Sequence, residues 1–429
     1  LDGRERDHDG NVDDDLLPGG SRQPGADDHV HLAAGEHRQR LGPGGGRARD
    51  GNVLGHRTLG IGPCPSGGRP HLWPTLPMVT ATVAWVAARP RVLVCGWSGA
   101  GNIGDELLTG VIVARLRSAG LDPVVRSVSP DATVAAHGEL AVAGRGLASL
   151  RMALAVDAVV LGPGGIVQDH SSVWSLPAHL LPALIARLRR RPVAGLGLGA
   201  DPLRRPVSKR LLRIALAGAP IIVRDEFSAA AMRDAGLEAE IDLDLAWELD
   251  HPEPARGEGL TVALGPVAGS GTWRPGRRRL VFEDTAPVVA ALQRLHAAVG
   301  GPIRLVAFRG ERDEGYARLI AAAFPTAEVV PADDALEAVR GAAVVVASRY
   351  HAALVAAAAG VPVIADIRQA KLASLAATSG LEARVIGFES WDEVAAVPST
   401  LPGAVSQPST GATDRALQRL ADACRSEEG

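Results

Sequence analysis

The sequence predicts an α/β chain of two parallel-sheet domains that face each other across a cleft. Three observations predict it. Short, continuous apolar runs alternate with amphipathic stretches from Arg91 onwards, the pattern of strands buried on both faces and covered by helices. The alternation stops at a polar, Pro/Gly-rich segment (250–259) and then restarts. Glycine-rich turns follow several of the apolar runs, at the strand ends where open parallel sheets bind ligands.

In chain order, residues 1–77 stand outside this pattern. They hold abundant Gly, Arg, Asp and His, no Lys, Phe or Tyr, and no sustained period of 2 or 3.6. Such a segment buries too little apolar surface to offset its chain entropy. Its histidines show no recurring ligand spacing, so no metal site is expected among them. Residues 1–77 are expected to be disordered, or to be an extension upstream of a frame beginning at Met78.

The first domain is assigned to 90–249. RVLVCG is a strand run, followed by a Gly-rich turn and the helical GDELLTGVIVARLRSAG. PVVRSV, AVVLG, PVAGLG and APIIVRD are further strands, separated by helices such as VWSLPAHLLPALIARLRRR and EFSAAAMRDAG. The second domain, 260–400, runs LTVALG, APVVAALQRLHAAVG, PIRLVAF, EGYARLIAAAF, AEVV, DALEAVRG, AAVVVAS, YHAALVAAAAG and VPVIAD. Residues 412–429 read as one terminal amphipathic helix.

Composition narrows the function. A length of 429 residues accommodates two or three domains, and the net charge of −3 argues against a nucleic-acid binder. Basic residues are spread along the chain, so no electrostatic footprint for DNA or a membrane surface stands out. Cys64, Cys95 and Cys424 are far apart and odd in number, which fits a reducing, cytoplasmic compartment and no metal cluster. The only lysines are Lys209 and Lys371. In a chain that otherwise uses Arg for every fixed positive charge, a retained Lys points to a specific task.

The first βα turn, GWSGAGNIGDE (96–106), formally matches the dinucleotide fingerprint at Gly99, Gly101 and Gly104. Asp105 and Glu106 occupy the place where a pyrophosphate would sit, and two carboxylates repel it. Acids at a helix start also serve as caps, so Asp105 reads equally as cap and as site. A second turn, Gly162-Pro163-Gly164-Gly165, lets a ligand approach the backbone and leads to Gln168 and Asp169. Further strands end in Val223-Arg224-Asp225 and in IDLDLAW, which places Asp244. In the second domain, VASRYHAAL puts Arg349 and His351 where a buried strand hands over to an Ala-rich helix. Ser348 could cap that helix and His351 pack in the core; together with the other loops, the pair reads as a site.

These segments together resemble the polysaccharide pyruvyl transferase family. The resemblance is carried in order by GxxGxGNIGDE (96–106), the Gly-rich turn with Gln168-Asp169, VRDEFS (223–228), SRYH (348–351) and GVPVIADIRQAKL (360–372). It covers roughly 90–400 and leaves 1–77 unaccounted for. The chain departs from the family pattern in GPGG for a triple-Gly turn and in Arg368-Gln369-Ala370 before Lys371. The resemblance implies a GT-B-type pair of Rossmann-like domains. It implies transfer of the enolpyruvyl-derived group of phosphoenolpyruvate onto two hydroxyls of one sugar, leaving a pyruvate ketal. It also implies donor contacts from Arg224, Arg349 and His351.

The residue chemistry suits that donor. Phosphoenolpyruvate carries a phosphate and a carboxylate, and Arg forks match either bidentately. Arg224 and Arg349 are expected to hold its two ends across the cleft, with Lys371, Gly164 and Gly165 completing the donor site. His351, near its ordinary pKa of about 6.5, is the expected proton donor. Asp105, Asp169 and Asp244 are the candidates for the base, and Asn102, Asp105 and Gln168 face the acceptor. No metal and no cofactor are expected beyond phosphoenolpyruvate as co-substrate. Replacing Arg349 or His351 by Ala is expected to abolish transfer with little change in stability.

The expected partners are phosphoenolpyruvate and a lipid-linked saccharide acceptor for a cell-surface polysaccharide. The expected location is cytoplasmic, at the inner face of the membrane with peripheral association. The basic connection 270–284, with Trp273, is the expected approach to an anionic lipid-linked substrate or else a solvated loop. Two rivals share the architecture: a nucleotide-sugar glycosyltransferase, and a non-catalytic sugar-binding protein. The sequence assigns no oligomeric state.

Overall fold

The computed structural model describes residues 89–138, 140–144, 146–170, 172–249, 257–266, 285–377, 385–395 and 409–426. The expected N-terminal extension 1–77 and the 270–284 connection lie outside them.

The first sheet is built from β1 (Arg91–Ser98), β2 (Asp122–Ser127), β3 (Ala141–Ala143), β4 (Ala158–Leu161), β5 (Gly164–Val167), β6 (Val193–Ala200), β7 (Ile221–Val223) and β8 (Glu240–Ile241). Its order is β3-β2-β1-β4-β6-β7-β8, with β5 alongside β6, and every pairing is parallel. The helices between are α1 (Ile103–Ser118), α2 (Pro130–His137), α3 (Gly146–Ala155), α4 (Ser175–Leu188), α5 (Pro206–Leu216) and α6 (Glu226–Asp234). β4 and β6 are buried along their whole length, which explains their unbroken apolar or small-residue composition.

The second sheet repeats the plan with β9 (Leu260–Ala263), β10 (Ile303–Val306), β11 (Ala327–Val330), β12 (Val344–Ala347), β13 (Val363–Asp366) and β14 (Val385–Phe388). Its order is β11-β10-β9-β12-β13-β14, again parallel throughout. The helices here are α7 (Thr285–Val299), α8 (Gly310–Ala323), α9 (Ala335–Arg340), α10 (Tyr350–Ala358) and α11 (Ala370–Ala376). A last helix, α12 (Ala412–Ser426), returns to pack against β6 and β7 of the first sheet. The side chain of Asp242 anchors its start by accepting from the backbone N–H groups of Thr410 and Thr413. The two parallel-sheet α/β domains read from the sequence are present.

In both sheets the strand order reverses once, at β1/β4 and at β9/β12. Such reversals open a crevice at the carboxyl edge. The turns that leave β1 and β12 lie at those two points, and they carry GWSGAGNIGDE and SRYH. The two edges meet directly: the Ile103 N–H donates to the Phe308 carbonyl (3.0 Å), and Asn102 bridges Arg309 in antiparallel fashion. Behind this seam one apolar core joins Leu108 and Ile112 of α1 to Ala353–Val355 of α10. α10 is small and apolar almost all round because it is buried almost all round.

Candidate functional site

Asp105 stands in the first turn of α1, buried, with its carboxyl against the backbone of Gly164. A Cβ at Gly164 would lie 2.8 Å from Asp105 Oδ1, and the residue has φ +97°, so glycine is required there twice over. Asn102 Nδ2 donates to the other oxygen, Oδ2. Burial pushes the Asp105 carboxyl up to about 6, against the charges of Arg224 and Arg309 and the Asn102 hydrogen bond, with Glu106 adding to the rise. The turn before α1 is held by Glu106. Glu106 Oε1 accepts from the Gly99 N–H (2.6 Å), while its Oε2 lies 3.0 Å from His137 Nε2. Of the two acids that open α1, one shapes the turn and the other titrates near neutrality.

His351 reaches across the seam and packs against Gly104 of α1. A Cβ at Gly104 would fall 2.1 Å from His351 Nδ1 and 2.3 Å from Cγ. The residue as a whole is half-buried, yet its Nε2 is buried and has no hydrogen-bond partner among the described residues. Burial, then the charges of Arg224 and Lys371, hold the imidazole down to about 3. His351 is therefore neutral at pH 7 in the ligand-free protein, which corrects the expectation of a near-ordinary pKa. Ser348 does not cap α10: its hydroxyl accepts from the Gly265 N–H, and the residue preceding α10 is Arg349, whose side chain makes no cap bond.

Arg224 sits behind His351, with 3% of its side chain exposed. Its Nε lies 3.3 Å from Asp225 Oδ2, its Nη1 lies 3.4 Å from Asp244 Oδ2, and its guanidinium carbon stacks 4.1 Å from the centroid of the Tyr350 ring. Gly199 gives it room: a Cβ there would fall 2.9 Å from the guanidinium. Tyr350 also hydrogen-bonds Asp244, and burial pushes its hydroxyl well above the ordinary range. Arg224, Asp244 and Tyr350 thus form one ionic and aromatic knot tying the two domains. Asp244 spends its oxygens on Arg224, Tyr350 and the Ala246 N–H, so it positions the cation and is no longer a candidate for the base.

Lys371 crosses from the second domain to Asp201 of the first (3.2 Å) and approaches Gly165, whose Cβ would lie 3.4 Å from Nζ. About a third of its side chain is exposed. Arg349 departs from expectation. Its Nε donates to Asp313 Oδ2 (2.8 Å) and its Nη2 to Asp313 Oδ1, a bidentate pair with a fully buried carboxylate. Asp313 also accepts the Arg309 N–H (3.0 Å). The fork expected to hold the donor is filled from within its own domain.

Asp169 is likewise corrected. It is buried below the start of α5, accepting from the backbone N–H groups of Arg204 and Arg205 (both 3.0 Å). Burial would raise its carboxyl, but those bonds, the Ser208 hydroxyl and the Arg205 charge hold it below the ordinary range. A carboxylate so satisfied is a helix anchor and a poor proton acceptor. Asn102 and Gln168 are half-buried at the mouths of their turns.

The structure therefore brings together Asp105, His351, Arg224, Lys371 and Gly164–Gly165. It adds Tyr350, Asp201, Asp313 and Arg309, which sequence reasoning missed. Tyr350 lies inside SRYH and carried its signal there. Asp313 sits in an ordinary helical charge pattern and carried none. Chemically, the arrangement places three cations, Arg224, Lys371 and Arg309, around a neutral imidazole and a carboxyl with a near-neutral pKa. Among the described residues, no group of three or more His, Cys, Asp or Glu side chains could hold a metal ion, and no helix is long and apolar enough to cross a membrane.

Comparison with known proteins gives three results. A family model described as polysaccharide pyruvyl transferase matches residues 102–365. No curated protein matches the chain. Among solved structures, the chain is similar to a glycosyltransferase from Rickettsia africae, at 13% identity over 80% of this chain and 89% of that one, with a TM-score of 0.46. It is also similar to a UDP-GlcNAc 2-epimerase from Methanocaldococcus jannaschii, at 10% identity over 79% and 99% of the two chains, with a TM-score of 0.46. A third is a putative UDP-N-acetylglucosamine 2-epimerase from Listeria monocytogenes, at 12% identity over 78% and 91%, with a TM-score of 0.48.

Proposed function

The chain belongs to the polysaccharide pyruvyl transferase family, and from that premise we propose that it transfers the three-carbon unit of phosphoenolpyruvate to a saccharide as a cyclic ketal. One observation carries the proposal. A buried imidazole nitrogen on His351, without a hydrogen-bond partner among the described residues, lies under the influence of Arg224 and Lys371, so its protonation waits for an anion. A dianionic phosphate beside these cations cancels their charge and raises the His351 pKa towards the working range.

The methylene carbon of the donor gains a proton and becomes methyl. A sugar hydroxyl adds to the central carbon and loses its proton to Asp105, whose carboxyl titrates at about 6. The C–O bond to phosphate breaks, with the departing oxygen stabilised by Lys371 and the imidazolium. A second hydroxyl of the same sugar closes the ketal. Of the two hydroxyl protons lost, one ends on the methyl group and the other leaves with phosphate. Arg224 supplies a fixed charge behind the imidazole, oriented by Asp244 and Tyr350. Gly164 and Gly165 let the donor approach the backbone, and Asn102 and Gln168 face the acceptor.

The acceptor is a lipid-linked saccharide met in the cytoplasm, at the inner membrane face. The test is incubation with phosphoenolpyruvate and candidate lipid-linked saccharides, read by mass spectrometry and phosphate release. The expected product is heavier than the acceptor by pyruvic acid less one water, with one phosphate freed per transfer. Turnover of UDP-sugars in place of phosphoenolpyruvate would assign the site to glycosyl transfer.

A further inference from the structure

The exposed apolar side chains of the first domain are gathered, not scattered. Of the thirteen large hydrophobic residues exposed among the described residues, eight lie on α3, α4 and α5 or at the N-cap of α4. Their spacing is that of helix faces turned away from the core. Leu147, Leu150 and Leu154 recur at i, i+3 and i+7 on α3. Trp174, Leu181 and Leu188 recur every seven residues along α4, as do Val207 and Ile214 on α5. The opposite faces, with Ala153, Leu180 and Leu212 among others, fill the core. α4 packs against α3 on one side and α5 on the other, so the three stripes are neighbours in one layer. Single exposed leucines need no explanation, but a layer of them marks a surface that something covers.

Charge on this layer has one sign. None of α3, α4 and α5 contains an Asp or Glu. Arg151, Arg210 and Arg213 are exposed beside the stripes, and α4 runs straight into exposed Arg189 and Arg190. The acids nearby stand at the edges, Asp234 paired with Lys209 (2.9 Å) and Asp157 beside Arg191 (4.0 Å). Basic residues that are spread evenly along a chain of net charge −3 are thus concentrated by folding.

We propose that this face docks the protein on an anionic phospholipid surface, with Trp174 and the leucines entering the headgroup boundary and the arginines pairing with lipid phosphates. Complementary charge selects this occupant. A second copy packed through the same face by two-fold symmetry would set like charges against each other. In a parallel α/β layer the helices start at the carboxyl edge of the sheet, so Trp174 and Val207 lie towards the edge that carries the site. Docking there holds the site rim near the membrane. The inference does not rest on the donor chemistry proposed above, and binding to lipid without donor or acceptor separates the two.

The test is co-sedimentation of the full chain with vesicles of equimolar phosphatidylglycerol and phosphatidylcholine, against phosphatidylcholine alone, at low and high salt. Binding to the anionic vesicles is expected to be at least about tenfold stronger and to weaken with salt. Leu150→Glu/Leu188→Glu and, separately, Arg189→Ser/Arg190→Ser are each expected to reduce binding about tenfold, with Tm and phosphoenolpyruvate binding unchanged. Equal binding to both vesicle types, or to neither, overturns the proposal. So does a dimer in light scattering that the leucine variants convert to monomer, which would give the face to a second copy.

Discussion

Replacing Gly104 by Ala tests the placement of His351 through a single methyl group. Gly104 is an ordinary helical residue of α1, so nothing in its backbone forbids a side chain. The obstacle is the imidazole, with Nδ1, Cγ and Cβ at 2.1, 2.3 and 2.5 Å from the position of the new carbon. All three are closer than real Cβ atoms tolerate, so the ring or the α1 turn must move by about 1 Å. Overpacking of this kind costs about 1–3 kcal/mol, and the gain in helix propensity returns up to about 1 kcal/mol. The net loss of stability is therefore at most about 3 kcal/mol, or several degrees in Tm. Activity is expected to respond far more, since misplacing a reacting group by about 1 Å costs on the order of 100-fold. Gly110→Ala on the same helix is the control, because its nearest neighbour atom, His137 Nδ1, is 3.5 Å away. The assay is phosphate release from phosphoenolpyruvate with acceptor, beside thermal melts of both variants. If Gly104→Ala keeps full activity and gains stability as Gly110→Ala does, His351 does not lie where the structure puts it, or does not act there.

Asp105→Asn is expected to lower the rate by about 10²–10⁴ and to abolish an acid limb near pH 6. Because the folded pKa of about 6 exceeds the ordinary 3.8, the acid form favours folding, and that benefit is lost as pH rises through 6. The Asn variant should therefore be more stable than the parent at pH 7, by up to about 3 kcal/mol, and equally stable below pH 4. His351 is depressed to about 3 from 6.5, so its contribution to stability is complete above pH 6.5 and lost as pH falls towards 3. His351→Gln should flatten the stability curve in that window, as read by urea titrations at several pH values. Arg349→Ala leaves the fully buried Asp313 unpaired, and should cost about 3–5 kcal/mol in urea unfolding. Adding Asp313→Ala should recover part of that loss, and unchanged stability in the single variant would contradict the pairing.

Much of the fold was legible because strands buried on both faces write themselves as unbroken apolar runs. RVLVCG, AVVLG and AAVVVAS each became strands of a parallel sheet. β5 was not legible: GGIV follows a Gly-Pro turn and reads as loop until β6 is there to pair with it. α3 and α5 also escaped notice, and with them the basic, apolar layer, since that layer exists only once three helices separated in sequence pack side by side. In the site, glycine spacing led to turns that the fold brings together, and Asp105, Arg224, His351 and Lys371 converge on the seam. What the sequence could not convey was which charges are already neutralised. Arg349 and Asp169 look available on paper, but Asp313 and the backbone at Arg204–Arg205 satisfy them from positions 36 and 35 residues away. The depressed His351 pKa is equally a property of packing, arising from burial and from two cations contributed by different domains.

An anionic donor is expected to complete the site by neutralising the cations around His351 and letting it take up a proton. Calorimetric titration of phosphoenolpyruvate near pH 6, repeated in buffers of different ionisation enthalpy, measures this directly. Saturable binding with net proton uptake is expected, lost in His351→Gln and weakened in Lys371→Ala. Saturation of the same site by UDP-N-acetylglucosamine with no heat from phosphoenolpyruvate, or donor binding without proton uptake, would contradict it.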